Sequence, residues 1–155
     1  MEPIVLDHIS FQIEREQLRQ KLSLRADGEY WSTLNRLIEE AEAIGRPKAI
    51  YKLAYIEEKG DDYVVVEGVR LTSRVLRVNL EHAHRLWLHV ATCGMELHEW
   101  ASALDDLLYR YWADEIKAAA LGAATRALKS DFLARYQPGK VAGMAPGSLA
   151  DWPLK

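Results

Sequence analysis

Two hydrophobic periods alternate along this chain, and they divide it into helices and strands. Residues 3–9 form an apolar stretch too short to assign to an element. From Glu14 to Leu22 the pair Leu18 and Leu22 sits at helical spacing, which predicts a short helix. Trp31, Leu34, Ile38 and Ala41 repeat at the same spacing, with Glu39, Glu40 and Glu42 on the other side. Asp27 is the expected N-cap of this second helix, because its carboxylate can accept first-turn amides. Gly45 is its expected end, and Pro47 prevents continuation.

The period then changes. In Ala49 to Glu57 the residues Tyr51, Leu53 and Tyr55 share one face, and Ile50, Lys52, Ala54 and Ile56 the other. Lys59-Gly60-Asp61 is turn chemistry and Tyr63-Val64-Val65-Val66 is β-branched and aromatic, so a hairpin is expected here. Ser73 is placed to cap a short helix through Leu80, and a strand from Leu86 to Ala91 follows. In Met95 to Tyr109 the residues Leu97, Trp100, Ala101, Leu104, Leu107 and Leu108 form a core stripe. The helix expected from Trp112 to about Ala134 is rich in alanine (Ala113, Ala118, Ala119, Ala120, Ala123, Ala124, Ala127) and carries Gly122. Small side chains let other backbones approach, so this helix is expected to be central.

The interspersed elements show no regular βαβα order, which predicts an α+β fold: an antiparallel sheet centred on the hairpin, with flanking helices. A length of 155 residues fits a single domain, 1–155. Residues 136–155 hold Pro138, Pro146 and Pro153 with Gly139, Gly143 and Gly147, and have no periodicity. Met144, Leu149 and Trp152 in that tail have apolar surface to bury, so an ordered irregular loop is expected there.

Charge removes one class of function. With 20 Lys and Arg against 23 Asp and Glu, the net charge is −3, so no nucleic-acid binding through a basic surface is expected. No apolar run is long enough for a membrane span. The acidic, mixed N-terminus does not read as a secretory signal, and the expected compartment is the cytoplasm. Cys93 is the one cysteine, which leaves no disulfide framework and no cysteine zinc cage.

Several residue sets carry chemistry on paper. His82, His84, His89 and His98 lack an accompanying zinc-enzyme pattern and are read as solvated or structural. Cys93, in Ala91-Thr92-Cys93-Gly94, sits where a helix N-terminus stabilises a thiolate. The plainer reading is a small buried residue at a tight turn, with Thr92 as helix cap. Glu96, Glu99, Asp105, Asp106, Asp114 and Glu115 are read as an exposed helical face rather than acid/base pairs. Tyr109, Tyr111 and Trp112 are read as core. Pro138-Gly139 and Pro146-Gly147 each combine a fixed φ with a residue free to take positive φ, a backbone shape that presents main-chain groups to a small polar ligand.

In order, the second half runs as a strand, Ala91-Thr92-Cys93-Gly94 opening a helix, and Tyr111-Trp112-x-Asp114 in an alanine-rich helix. Arg135-Tyr136-x-Pro138-Gly139 follows, then Met144-x-Pro146-Gly147-Ser148 and Trp152-Pro153-Leu154. This series, over roughly residues 62–155, resembles the activation domain of vitamin B12-dependent methionine synthase and its free-standing relatives. The resemblance implies a C-shaped α+β domain around a twisted antiparallel sheet, and S-adenosylmethionine bound by main-chain and acidic contacts. It also implies a partner, a corrinoid protein whose one-electron-oxidised cobalamin is re-methylated, with a flavoprotein reductase supplying the electron. In that family the cobalt carries the chemistry, so no catalytic residue is implied here.

Carried over residue by residue, Arg135, Pro138 and Gly139 match the family's Arg-x-x-Pro-Gly loop, with Lys140 where the family has tyrosine. A second alignment puts Ala145, Pro146, Gly147 and Ser148 on that loop, with Gly143 in place of the arginine. Glu96 is the implied acidic contact. The chain ends earlier than its relatives, so an unpaired edge or apolar face is expected, and with it a homodimer. Two other readings stand beside this one: an interaction or scaffold domain without ligand, and a thiol enzyme centred on Cys93.

Overall fold

The computed structural model describes residues 1–154. Its elements run β1 (Ile4–Leu6), α1 (Arg15–Lys21), α2 (Glu29–Ile44), β2 (Lys48–Lys59), β3 (Tyr63–Val66), β4 (Val69–Thr72), α3 (Arg74–Asn79), β5 (Arg85–Thr92), α4 (Met95–Ser102) and α5 (Leu107–Tyr136). The fold is α+β with an open five-stranded sheet ordered β1-β2-β3-β4, and β5 also pairs with β2. The expected hairpin is at its centre. β2 and β3 are antiparallel, with Glu58 opposite Val65 and Lys59 opposite Val64. Its turn is closed by the Gly60 amide donating to the Tyr63 carbonyl at 2.9 Å.

β4 was not foreseen, and its cause is local. Glu67 and Gly68 both take positive φ, 52° and 73°. Two such residues make the primed turn whose twist matches paired strands, so the chain folds straight back onto β3. Val64 then faces Leu71, and Val65 faces Arg70. Ser73 ends this strand and caps α3 as expected, its side chain accepting the Leu76 amide at 3.1 Å.

The chain divides into two compact units. One holds residues 5–50 and 90–135. Its core joins Leu18 of α1, Leu34, Leu37, Ile38 and Ala41 of α2, Leu97 of α4, and Trp112, Ile116, Ala120 and Ala123 of α5. Of the helical stripes read from sequence, Leu18, Leu34, Ile38, Ala41, Leu97 and Ala101 are buried here. Burial of each large member is worth about 1.5–3 kcal/mol against exposure. The other unit holds residues 1–4, 51–89 and 136 onward. Its smaller core is Ala54, Val64, Val66 and Leu76, against which Leu86, Leu88, Met144 and Trp152 pack. Two of the three tail anchors thus dock on the sheet, and Leu149 forms an isolated bridge with Trp152.

Six local expectations are corrected. Asp27 does not cap α2. Gly28 holds the N-cap position, and the Asp27 carboxylate instead accepts from Arg25 at 3.2 Å. The helix from Met95 to Tyr109 is two elements, because Asp106 breaks it: its Oδ1 accepts the amides of Leu108 at 2.8 Å and Tyr109 at 3.2 Å. Those bonds start α5 anew, and the stripe loses phase: Leu97 and Ala101 are buried, whereas Leu107 and Leu108 are exposed. Tyr111 is likewise exposed rather than core. Tyr55 does not share the burial of Tyr51 and Leu53, because Ala54 is buried instead and the ladder shifts register between Ile56 and Glu58. Cys93 is half-buried rather than buried, and the α4 N-cap is Gly94 rather than Thr92.

Candidate functional site

Both proline-glycine loops adopt the shapes expected of them. Gly139 has φ 76° and Gly147 has φ 83°, and Gln137 also takes positive φ, 45°. Left-handed residues on either side of Pro138 turn the chain sharply as it leaves α5. Tyr136 ties this turn to the sheet: its ring meets Trp87 edge-on at 5.5 Å and Tyr51 at 6.3 Å.

The turn borders a cleft of about 490 Å³ lined by Ala83, His84, Arg85, Trp87, Pro138, Lys140 and Val141. Arg85 and Trp87 alternate on β5 and so share a face. The Arg85 guanidinium lies 5.7 Å from the Trp87 ring centroid, within reach of a cation–π contact. The His84 carbonyl accepts the Ile56 amide at 3.0 Å, which fixes the start of β5 against β2. Among the described residues no carboxylate lines the cleft. Among the described residues neither Arg85 nor Lys140 has an ion-pair partner.

The second loop is closed on itself. Ser148 donates its amide to the Ala145 carbonyl at 3.2 Å and its hydroxyl to the same oxygen at 2.6 Å, and its Oγ accepts the Ala145 amide at 3.2 Å. The Gly147 amide donates to the Trp152 carbonyl at 2.6 Å. These groups of Ala145, Gly147 and Ser148 therefore shape a turn around Pro146 that Trp152 anchors. Asp151 carries the turn onto α3, accepting from the Ser73 hydroxyl at 2.9 Å and the Val75 amide at 3.1 Å.

The Val75 amide, aided by Ser73, holds the Asp151 carboxyl below its ordinary value. A lowered folded value means the contact stabilises fully above the ordinary carboxyl range. It is lost as pH falls through that range, about 3.9, toward the folded value. The protection of residues 144–154 against hydrogen exchange, relative to the intrinsic rate at each pH, is accordingly expected to fall below about pH 4. In Asp151→Asn that protection should be reduced already at pH 7, with little further change on acidification.

Arg135 and Glu96 belong to the other unit. Arg135 closes α5, where its guanidinium pairs with Asp131 at 3.3 Å through two nitrogens. Glu96, in the first turn of α4, accepts Lys48 at 2.9 Å, and that bond holds its carboxyl below the ordinary range. Its second oxygen is buried without a hydrogen-bond donor among the described residues. Beside it Gly94 has φ 90°, its amide donates to Thr92 Oγ1 at 3.1 Å, and Cys93 Sγ lies 3.6 Å from its carbonyl oxygen. A broad groove of about 700 Å³ runs between the segment 5–10 and α5, lined by residues that include His8, Arg126, Ser130 and Asp131.

Among the described residues no group of three or more His, Cys, Asp or Glu is gathered to hold a metal ion. None of the described helices is long and apolar enough to cross a membrane. Sequence reasoning treated His84 and Lys140 separately and passed over Arg85 and Trp87. They lie some fifty residues apart, and only the return of the chain after α5 joins them. The one local signal was the alternation Arg85-x-Trp87. No protein-family model matches the chain, and no characterised protein matches it closely enough to assign a family.

Proposed function

We propose that this protein is an activation-domain-like partner of a corrinoid protein, holding S-adenosylmethionine for reductive methylation of that partner's cobalamin. The observation that carries the reading is the ordered motif series from Ala91-Thr92-Cys93-Gly94 to Arg135-Tyr136-x-Pro138-Gly139. What supports it in the molecule is the α+β fold and the left-handed backbone of Gln137 and Gly139 around Pro138. The resemblance implies Arg135 as the cation for the ligand's carboxylate and Glu96 as an acidic contact. In this reading no base or nucleophile of the chain is called on. Its residues bind and orient the methyl donor, and the cobalt of the partner carries the transfer.

Calorimetric titration with S-adenosylmethionine is the test. Saturable binding is expected, weakened by about 1.5–3 kcal/mol in Arg135→Ala, the range for charge-assisted hydrogen bonds. No heat at millimolar ligand would remove the methyl-donor role. The self-closed Ala145 to Ser148 turn favours the second reading in that case, an interaction domain with the same partner and no ligand.

A further inference from the structure

We infer that the cleft between the start of β5 and the Pro138-Gly139 turn is a binding site for a small phosphate monoester carried on a flat ring, a nucleoside monophosphate in chemical class. It shares Pro138 with the loop assigned above to S-adenosylmethionine, but it rests on the cleft lining alone and stands or falls independently of that reading.

The first ground is charge. Arg85 and Lys140 both line the cleft, and among the described residues no carboxylate lines it and neither cation has an ion-pair partner. Two like charges brought into one recess repel each other, and an anion placed between them turns that repulsion into two attractions. In a chain of net charge −3 this pairing is not the overflow of a generally basic surface.

The second ground is donor geometry. The guanidinium presents a planar fork of donors that matches phosphate oxygens two at a time, and the ammonium adds a compact point charge. His84, which also lines the cleft, adds a ring N–H. Donors from three residues lining one recess suit the several oxygens of a phosphate better than the two of a carboxylate.

The third ground is the apolar wall. Trp87 and Pro138 line the same cleft, a surface against which a planar ring can lie. A volume of about 490 Å³ is within the range of small-ligand sites and admits a mononucleotide. The same lining disfavours a sulfonium-bearing ligand, because it offers that positive charge no acidic partner.

The experiment is calorimetric titration of the full chain, at low ionic strength and pH 7, with adenosine monophosphate, inorganic phosphate, adenosine and S-adenosylmethionine. Adenosine monophosphate should bind saturably, inorganic phosphate about tenfold more weakly or worse, and adenosine more weakly still. Arg85→Ala and Lys140→Ala should each weaken adenosine monophosphate about tenfold or more. Both side chains are exposed, so the melting temperatures should stay as in the wild type. Rescue in Arg85→Lys should be partial, because the fork is lost while the charge remains. The inference is overturned if adenosine monophosphate fails to bind at millimolar concentration. It is equally overturned if adenosine binds as tightly, or if the two alanine variants bind like the wild type. Binding of adenosine monophosphate without S-adenosylmethionine upholds this site and removes the methyl-donor role. Binding of S-adenosylmethionine alone does the reverse.

Discussion

Trp112→Ala should lower the stability of this protein by about 3–5 kcal/mol, the range for large aromatic truncations in a core. Trp112 is 1% exposed. It stacks on Tyr109 at 5.5 Å with planes 21° apart, and Tyr30 meets it edge-on at 5.9 Å. Removing the indole therefore strips two ring contacts as well as the buried area, and its neighbours in α2 and α5 are held by their helices and cannot collapse into the void. Chemical denaturation followed by circular dichroism measures the loss. Tyr111→Ala, one residue earlier on the exposed side of α5, should change stability by no more than about 0.5 kcal/mol. Equal effects at the two positions would mean that α5 does not bury the face described.

Gly94→Ala should cost about 2–4 kcal/mol, for two separable reasons. At φ 90° and ψ 154° an alanine is in a region that essentially only glycine occupies, a strain of about 1–3 kcal/mol. A β-carbon there would also lie 2.6 Å from the Arg46 carbonyl oxygen and 2.6 Å from a Glu96 carboxylate oxygen. The Glu96 side chain can move aside, at the cost of its bond to Lys48, but the Arg46 carbonyl is main chain and can yield only by displacing the segment before β2. Gly68→Ala is the control. Its φ is 73°, and a β-carbon there meets nothing within 4 Å. It should cost only the backbone term, roughly 1–2 kcal/mol. Thermal melts of both variants separate strain from collision, and a loss at Gly94 no larger than at Gly68 would rule the collision out.

What was legible in advance was what short stretches decide for themselves. Leu34, Ile38 and Ala41 fall on one side of α2 because of their spacing alone, and all are buried. Ser73 caps α3 through a bond that spans three residues. The turn at Gly60 and the β-branched run after it make the central hairpin without distant help. Failures of reading came where two local solutions compete. Asp106 sits within an unbroken apolar stripe, yet its carboxylate captures the amides of Leu108 and Tyr109 and restarts the helix. Hydrophobic periodicity does not register a side chain bonding to backbone. Asp27 met the opposite fate, because Arg25 offered its carboxylate a partner and left Gly28 at the helix start.

The candidate sites divide along the same line. Positive φ at Gly139 and Gly147 follows from the residues themselves, since a Pro-Gly pair shapes its own turn. Whether such a turn faces a ligand or closes on itself depends on what the rest of the chain brings to it. Trp152 and Asp151 come back to close the second turn, through the Gly147 amide and through Ser73. Beside the first turn stand Arg85 and Trp87, carried there by a strand whose register is set by β2. Spacing, caps and turn residues act over a few positions, so the sequence by itself determined the helices, the hairpin and the shapes of the loops. Pairing of strands and return of the tail join residues far apart in the chain. Only the tertiary structure could therefore put two cations and an indole around one cleft and close the other turn through its Ala145, Gly147 and Ser148 amides.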